Sequence, residues 1–239
     1  MIYEFEPIGY LESCFQEKFG VPRQSGLVSH ATGIIRLRPD PHLKIALRSL
    51  ETFSHLWLIF VFHQPGSRHW KPSVRPPRLG GARKVGVLAS RSPHRPNPIG
   101  ISAVSLDRIE LNSPLGPEIH VHGIDLLNGT PILDLKPYLP YADSIPTAQS
   151  GWAQEPILRI GVQFSKKALE DLQVHTPQYP SLKELITEIL ELDPRPAFQK
   201  KRFPPEAQQS QGTSYGFKLF EFDIQWKIQN GIFLVISIP

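Results

Sequence analysis

Arg91, His94, Arg95 and Asn97 fall inside one short stretch, S-R-S-P-H-R-P-N-P-I-G (90–100), that carries no acid. Pro93, Pro96 and Pro98 remove backbone donors and fix φ, so the stretch is a stiffened loop rather than a helix interior or a central strand. Cationic and amide side chains on a rigid loop are suited to holding an anionic or polar ligand. A second cluster is D-L-L-N-G-T-P-I-L-D-L-K-P-Y, from Asp125 to Tyr138. Asn128-Gly129-Thr130-Pro131 predicts a tight turn whose backbone can approach a ligand closely. Beyond it, Asp134, Lys136 and Tyr138 alternate outward from a strand, a set able to move a proton. A hairpin with a polar outer face accounts for the same pattern.

The first cluster closes a longer basic block. Thr52 to Leu106 contains no Asp or Glu, yet holds Arg68, Lys71, Arg75, Arg78, Arg83, Lys84, Arg91 and Arg95. A bare charge run would be a solubilising face. Here the charges are mounted on Pro- and Gly-punctuated turns and interleaved with His69 and Trp70, which favours phosphate and base contacts. Six arginines against two lysines suit planar, bidentate recognition. Arg75, Arg78, Arg83, Lys84, Arg95 and Asn97 are the candidate RNA contacts. No helix-turn-helix or zinc-finger pattern offers an element for the major groove of DNA, whereas loops and aromatics suit single-stranded bases.

Other chemistries find less support. Cys14 is the single cysteine among 239 residues, so an internal disulfide and a cysteine-based zinc cluster are excluded and a reducing, cytoplasmic setting is expected. His120-x-His122 would share a strand face, but H-E-x-x-H is absent, and hydrogen-bonded histidines are expected rather than a metal site. G-x-S-x-G, G-x-G-x-x-G and the P-loop pattern are also absent. No apolar run approaches a membrane span, and the N-terminus lacks the basic start of a secretory signal.

The elements that must position these residues are short strands. The chain has 25 prolines and 17 glycines, and strands are predicted at Phe5–Leu11, Gly33–Leu37, Ser54–Phe62, Val85–Ala89, Ile99–Leu111, Glu118–Asp125 and Ile132–Leu135. Leu56 to Phe62 is apolar on both faces, which predicts a strand buried in a closed or two-layered sheet. An antiparallel barrel or a sandwich satisfies this. One helix is predicted at Pro41–Leu50, with Asp40 as its cap. After about residue 150 the texture changes: two helices at Ser165–His175 and Ser181–Leu192, then a hairpin from Phe217 through Asn230-Gly231. The expected organisation is a barrel over 1–150 and a smaller α+β domain over 151–239.

Taken together, K-F-G-V-P-R-Q (Lys18 to Gln24), L-E-T-F-S-H-L-W-L-I-F-V-F-H (Leu50 to His63), V-R-P-P-R-L-G-G (Val74 to Gly81), the two clusters above and D-P-R-P-A-F (Asp193 to Phe198) resemble the TrmO (TsaA/YaeB) family along nearly the whole chain. The departures are local: Cys14 where the family tends to have proline, and Ala82 where Asn is common. The resemblance implies a mainly β protein, a single-sheeted antiparallel β-barrel with a smaller C-terminal α+β domain. It implies S-adenosyl-L-methionine as methyl donor, N6 of N6-threonylcarbamoyladenosine in the anticodon loop of threonine tRNA as acceptor, and a homodimer with the donor near the interface. The donor contacts it implies are Gln24, Ser25, Gly26, His63, Gln64, Arg91, Ile101, Asn128, Gly129 and Thr130. Because a carbamoylated nitrogen is a poor nucleophile, a base is wanted; Asp134 and Tyr138 are the candidates, with Lys136 as electrostatic helper. The competing expectation is an RNA-binding module that keeps the barrel without the reaction.

Overall fold

The computed structural model describes residues 2–64 and 69–239. In chain order its elements are β1 (Gly9–Ser13), β2 (Thr32–Leu37), α1 (Pro41–Ala46), β3 (His55–Val61), β4 (Ser73–Val74), β5 (Val85–Gly86), β6 (Ile99–Glu110), β7 (Glu118–His122), β8 (Thr130–Pro137), α2 (Pro140–Asp143), β9 (Val162–Phe164), α3 (Lys166–His175), α4 (Leu182–Glu191), α5 (Ala197–Arg202), β10 (Ser214–Leu219), β11 (Phe222–Gln229) and β12 (Ile232–Ser237). Strands β1-β2-β7-β6-β3-β8 close into a barrel in which every pairing is antiparallel.

Alternation sets the barrel's inside and outside. Leu56, Leu58 and Phe60 of β3 point inward with Leu11, Ile35, Ile119, Val121 and Ile132, all 0–2% exposed. The outward residues Trp57, Ile59 and Val61 are half-buried only, so no second sheet covers this strand. β3 is therefore apolar on both sides for a reason other than a two-layered sheet. Its neighbours continue the outer stripe: Ile101 lies opposite Ile59 and is 49% exposed, and Ile99 lies opposite Val61 and is 38% exposed.

Several predicted boundaries shift. The stretch Val85–Ala89 gives a two-residue strand and then a single 3-10 turn, because β5 pairs only with β4 and extends no sheet. The C-terminal run from Phe217 is two strands, since Phe220 takes φ 52 and turns the chain between β10 and β11. The Asn230-Gly231 hairpin forms as expected, with φ 51 and 79, and Asp40 caps α1 by accepting from the His42 amide at 2.8 Å. The second sheet, β10-β11-β12-β9, adds a parallel strand, β9, that the sequence reading missed.

The C-terminal unit braces one barrel loop. Phe15 bridges to Leu219, and the Phe220 amide donates to Cys14 O at 2.8 Å. Phe19 meets the Phe217 ring edge-on at 6.5 Å between centroids. Glu188 of α4 accepts from Ser29 Oγ at 2.6 Å and the His30 amide at 3.0 Å. Both ends of the β1–β2 loop are thus held from outside the barrel, and one apolar cluster runs through both units.

Candidate functional site

Three long loops leave the same end of the barrel: β1 to β2, β3 to β6, and β7 to β8. In an antiparallel barrel alternate connections share an end, so Gln24–Gly26, His63, Gln64, residues 69–97 and Asp125–Gly129 are assembled around one mouth. The centre of that assembly is Asp125. Its carboxylate accepts from Ser102 Oγ at 2.6 Å, and the Ser25 backbone and Arg91 both favour its charged form. Burial pushes its pKa above the usual 3.8. Arg91 in turn donates to Gln24 Oε1. Gly26 donates its amide to Gly123 O at 2.8 Å, which fixes the first loop against the third. Gln24, Ser25, Gly26 and Arg91 therefore do meet, joined by a residue that sequence reasoning placed in the cluster without giving it a task.

The Asn128-Gly129 turn hangs on the same rim. Gly129 takes φ 76, which an L side chain resists, while nothing crowds its Cβ position, so the need for glycine is conformational. The amides of Asn128, Gly129 and Thr130 are already donated to Phe15 O, Leu11 O and Leu127 O at 2.9, 2.8 and 3.3 Å. Asn128 Oδ1 accepts from the Ser13 amide at 3.1 Å. What the turn offers a ligand is carbonyl acceptors. On the β3 side, burial and then Lys18 hold the His63 imidazole below its ordinary 6.5; His94 is lowered likewise, by burial, Lys71 and Lys18. Both rings are neutral at pH 7, and among the described residues His94 Nδ1 is buried with no hydrogen-bond partner. Gly100, on β6 just past the proline-braced loop, lies under the ring of its β3 partner Phe60, where an added Cβ would meet it at 2.2 Å. That contact seats the loop on the barrel.

Asp134, Lys136 and Tyr138 are elsewhere. They run along the outer wall of β8, where Lys136 Nζ pairs with Asp134 at 2.9 Å, and Tyr138 packs against Trp57 with centroids 5.5 Å apart, at the end of the strand remote from Thr130. Asp134 lies across β3 from Ile101, through Ile59. The candidate base and the candidate donor contact Ile101 thus share the exposed apolar wall, outside the mouth.

Of the basic block, Arg68 lies outside the described residues. Arg75, Arg83, Lys84 and Asn97 are exposed and Arg95 half-buried on the mouth loops. Their recorded bonds run to neutral acceptors: Arg75 to Ala82 O at 3.5 Å, Arg95 to Ser90 O at 3.1 Å, and Arg78 to Glu155 O. No carboxylate holds them among the bonds of the described residues, so their charge is available to a polyanion. Among the described residues, metal chemistry has one structural candidate, Glu110, Glu118 and His120 with ligand atoms within 4.8 Å of one another. Arg36 already bridges Glu118 there. Cys14 is buried and its thiol is pushed up to about 12, mainly by burial, which suits a packing role.

Comparison with known proteins decides the family. Residues 10–144 match the tRNA-methyltransferase O N-terminal domain and residues 158–239 the TrmO C-terminal domain. The chain belongs to the TrmO family. It is 40% identical over 237 residues to the tRNA (adenine(37)-N6)-methyltransferase of Escherichia coli strain K12, covering 99% of this chain and 97% of that one. It is 44% identical over 227 residues to a putative S-adenosylmethionine-dependent methyltransferase of Pseudomonas aeruginosa, covering 95% and 93%. The crystal structure of TrmO from Pseudomonas aeruginosa superposes with a TM-score of 0.80 at 36% identity, over 100% of this chain and 99% of that chain. The single-sheeted barrel and the smaller α+β unit are thus the TrmO fold. Among the described residues no helix is long and apolar enough to cross a membrane.

Proposed function

We propose that this chain is an S-adenosyl-L-methionine-dependent tRNA methyltransferase acting on N6 of the adenosine at position 37, with N6-threonylcarbamoyladenosine of threonine tRNA as its acceptor. The observation that carries the reading is the mouth, where Gln24, Ser25 and Arg91 gather around Asp125, the Asn128-Gly129 turn sits on the same rim, and Arg75, Arg78 and Arg95 bond only neutral acceptors. These groups fit the donor. Arg91 can face a carboxylate, Asp125 offsets a sulfonium or ammonium charge, and the turn carbonyls can accept from an exocyclic amine. Gly26, His63, Gln64 and Thr130 complete that contact set, with Ile101 on the wall.

Bound S-adenosylmethionine supplies an electrophilic methyl group; everything else is asked of the protein. A carbamoylated nitrogen shares its lone pair with the carbonyl, so its proton must leave as it attacks. Asp134 accepts that proton, Lys136 pairs with Asp134 at 2.9 Å, and Tyr138 flanks the acceptor base. Those three residues lie outside their own protomer's mouth, and the reading therefore includes a homodimer packed through the exposed stripe of Trp57, Ile59, Ile99 and Ile101. Such packing brings one subunit's wall to the other's mouth and buries a surface that the monomer leaves open. Orientation of donor and acceptor supplies much of the remaining acceleration. Arg75, Arg78, Arg83, Lys84, Arg95 and Asn97 seat the anticodon arm, in the cytoplasm where that RNA resides.

Calorimetry with S-adenosylmethionine should show saturable heat, and purified protein should transfer a methyl group to tRNA carrying the threonylcarbamoyl group. A protein that binds RNA but gives no heat with the donor would be the non-catalytic module instead. Arg75→Ala or Arg78→Ala should lower tRNA affinity and flatten its salt dependence by about one charge; unchanged filter binding would return the block to a solubilising role.

A further inference from the structure

The D-P-R-P-A-F segment is far from the barrel mouth in sequence, yet it carries a buried, fully bonded arginine. Arg195 is fully buried and pairs with Asp193 through two bonds, 2.7 and 2.8 Å. It donates to Phe203 O at 2.7 Å and lies over the Tyr215 and Phe233 rings at 5.7 and 5.2 Å. Asp193 precedes α5 and Phe203 follows it, so one guanidinium clamps both ends of a helix only six residues long. A helix this short is marginal by itself, and a buried ion pair is costly unless fully bonded. The clamp therefore exists to present the helix's other face.

That face forms one wall of a groove of about 510 Å³. The Gly80-Gly81 turn and Arg75 line the groove across from it. Gly81, at φ 68, comes so close that a Cβ there would meet Ala197 Cβ at 3.2 Å. Arg23, Arg75 and Lys201 line the groove, no acid does, and Phe198 stands in it with 70% of its surface exposed. Burial lowers the neighbouring Lys200 pKa, and Arg23 and Arg195 lower it further, while Asp193 opposes them. The groove is short of negative charge.

We propose that this groove is a second RNA site, which grips the ribose-phosphate chain through Arg23, Arg75 and Lys201 and stacks one unpaired base on Phe198. The inference rests on the tRNA reading above and deepens it. Cations flanking an exposed aromatic ring are the chemistry that single-stranded RNA requires, and an apolar or anionic ligand would leave one half of the set unused. Position fixes which nucleotides are meant. Arg23 lines the groove while the adjacent Gln24 bonds Arg91 in the mouth, so the RNA here is the same loop, a short step from the base being modified. The C-terminal unit then reads the substrate as well as bracing the β1–β2 loop.

The test compares wild type with Phe198→Ala, Phe198→Trp and Lys201→Glu, using tRNA in filter binding over a salt series and S-adenosylmethionine in calorimetry. Phe198→Ala should weaken tRNA binding about tenfold, the loss of one stacked base, and Phe198→Trp should restore it. Lys201→Glu should weaken it more at low salt and reduce the salt slope by about one. Donor affinity and turnover at saturating tRNA should remain at the wild-type level, with KM raised, and because Phe198 is exposed the melting temperature should not move. Variants that bind tRNA as tightly as an active wild-type enzyme would overturn the groove proposal alone and leave an acidic protein segment as its occupant. A wild-type protein that neither binds nor methylates tRNA would overturn the functional reading, and this inference with it.

Discussion

The two ends of the barrel carry the same kinds of cation in opposite circumstances. At the closed end Arg36 bonds Glu12 at 2.9 Å and also Glu118, and Arg38 bonds Glu6 at 2.9 Å. At the mouth Arg75, Arg78, Arg91 and Arg95 donate to carbonyl and amide oxygens. A guanidinium given a carboxylate is finished with its charge; one given a neutral acceptor is oriented and still charged. The closed end converts charge into stability, and the mouth keeps it for a ligand. The difference arises from sequence, because the mouth loops between Thr52 and Leu106 contain no acid.

The largest expected effect tests whether the mouth is completed by a second subunit. Asp134→Asn should cut turnover by about two orders of magnitude or more, the usual loss for a general base, with donor affinity unchanged. Arg91→Ala should also be nearly inactive, through lost donor binding. Mixed and allowed to exchange, the two variants should recover roughly a quarter of wild-type activity, since half the dimers are mixed and each holds one intact composite site. No recovery would confine Asp134 to its own protomer, where it faces away from the mouth, and would remove it as the base.

A smaller effect separates the ends directly. Arg91→Ala should weaken donor binding by about 10- to 100-fold, the value of hydrogen bonds to a charged group, and leave the melting temperature nearly unchanged. Arg36→Ala should do the reverse. It strands Glu118, a carboxylate 10% exposed, and should cost roughly 2–3 kcal/mol of stability. Donor binding should stay within about twofold of wild type, as expected where no contact is shared. Denaturant melts and calorimetry on the two proteins check the pair; if both variants lose stability alike, the cations of the mouth are structural too.

What could be read from the sequence follows the range of the forces involved. β3, β6, β7 and β8, the capped α1 and the Asn230-Gly231 hairpin rest on alternation, caps and turn residues, which act over a few positions. Convergence of Gln24, Arg91 and Asn128 came only through family resemblance, because more than a hundred residues separate the first and last of them. Asp125 was missed because its role depends on Ser102 and Ser25, which no spacing rule connects to it. The brace of Glu188 on Ser29 and His30 was invisible for the same reason. The single reading of Phe217 through Ile228 as one strand failed at Phe220, an aromatic residue in a left-handed conformation that favours glycine or asparagine. Outward placement of Asp134 and Lys136 was legible, since a period of two fixes it; that the wall beside them is bare was not.

The smallest effect concerns pH, and here the two ends should differ in kind. His63 is lowered from 6.5, first by burial and second by Lys18. Its neutral form therefore persists as pH falls through 6.5, and the acid limb of kcat/KM should lie below that value if His63 contacts the donor. Lys18→Met removes the lesser cause, so the limb should move up while still staying under 6.5 because burial remains. Lys71, which with Lys18 also lowers neighbouring His94, stays in place. At the closed end the sign concerns stability. Glu118 is held below its usual 4.5, chiefly by the Ser113 hydroxyl and then by Arg36. Its contribution is complete above 4.5 and is lost as pH falls through the lowered value. Rate profiles of the Lys18 variant should shift while its acid melting curve overlays that of wild type. A curve that shifts with the rate would mean that protonation at the mouth and unfolding are one event, and that the two ends are not independent.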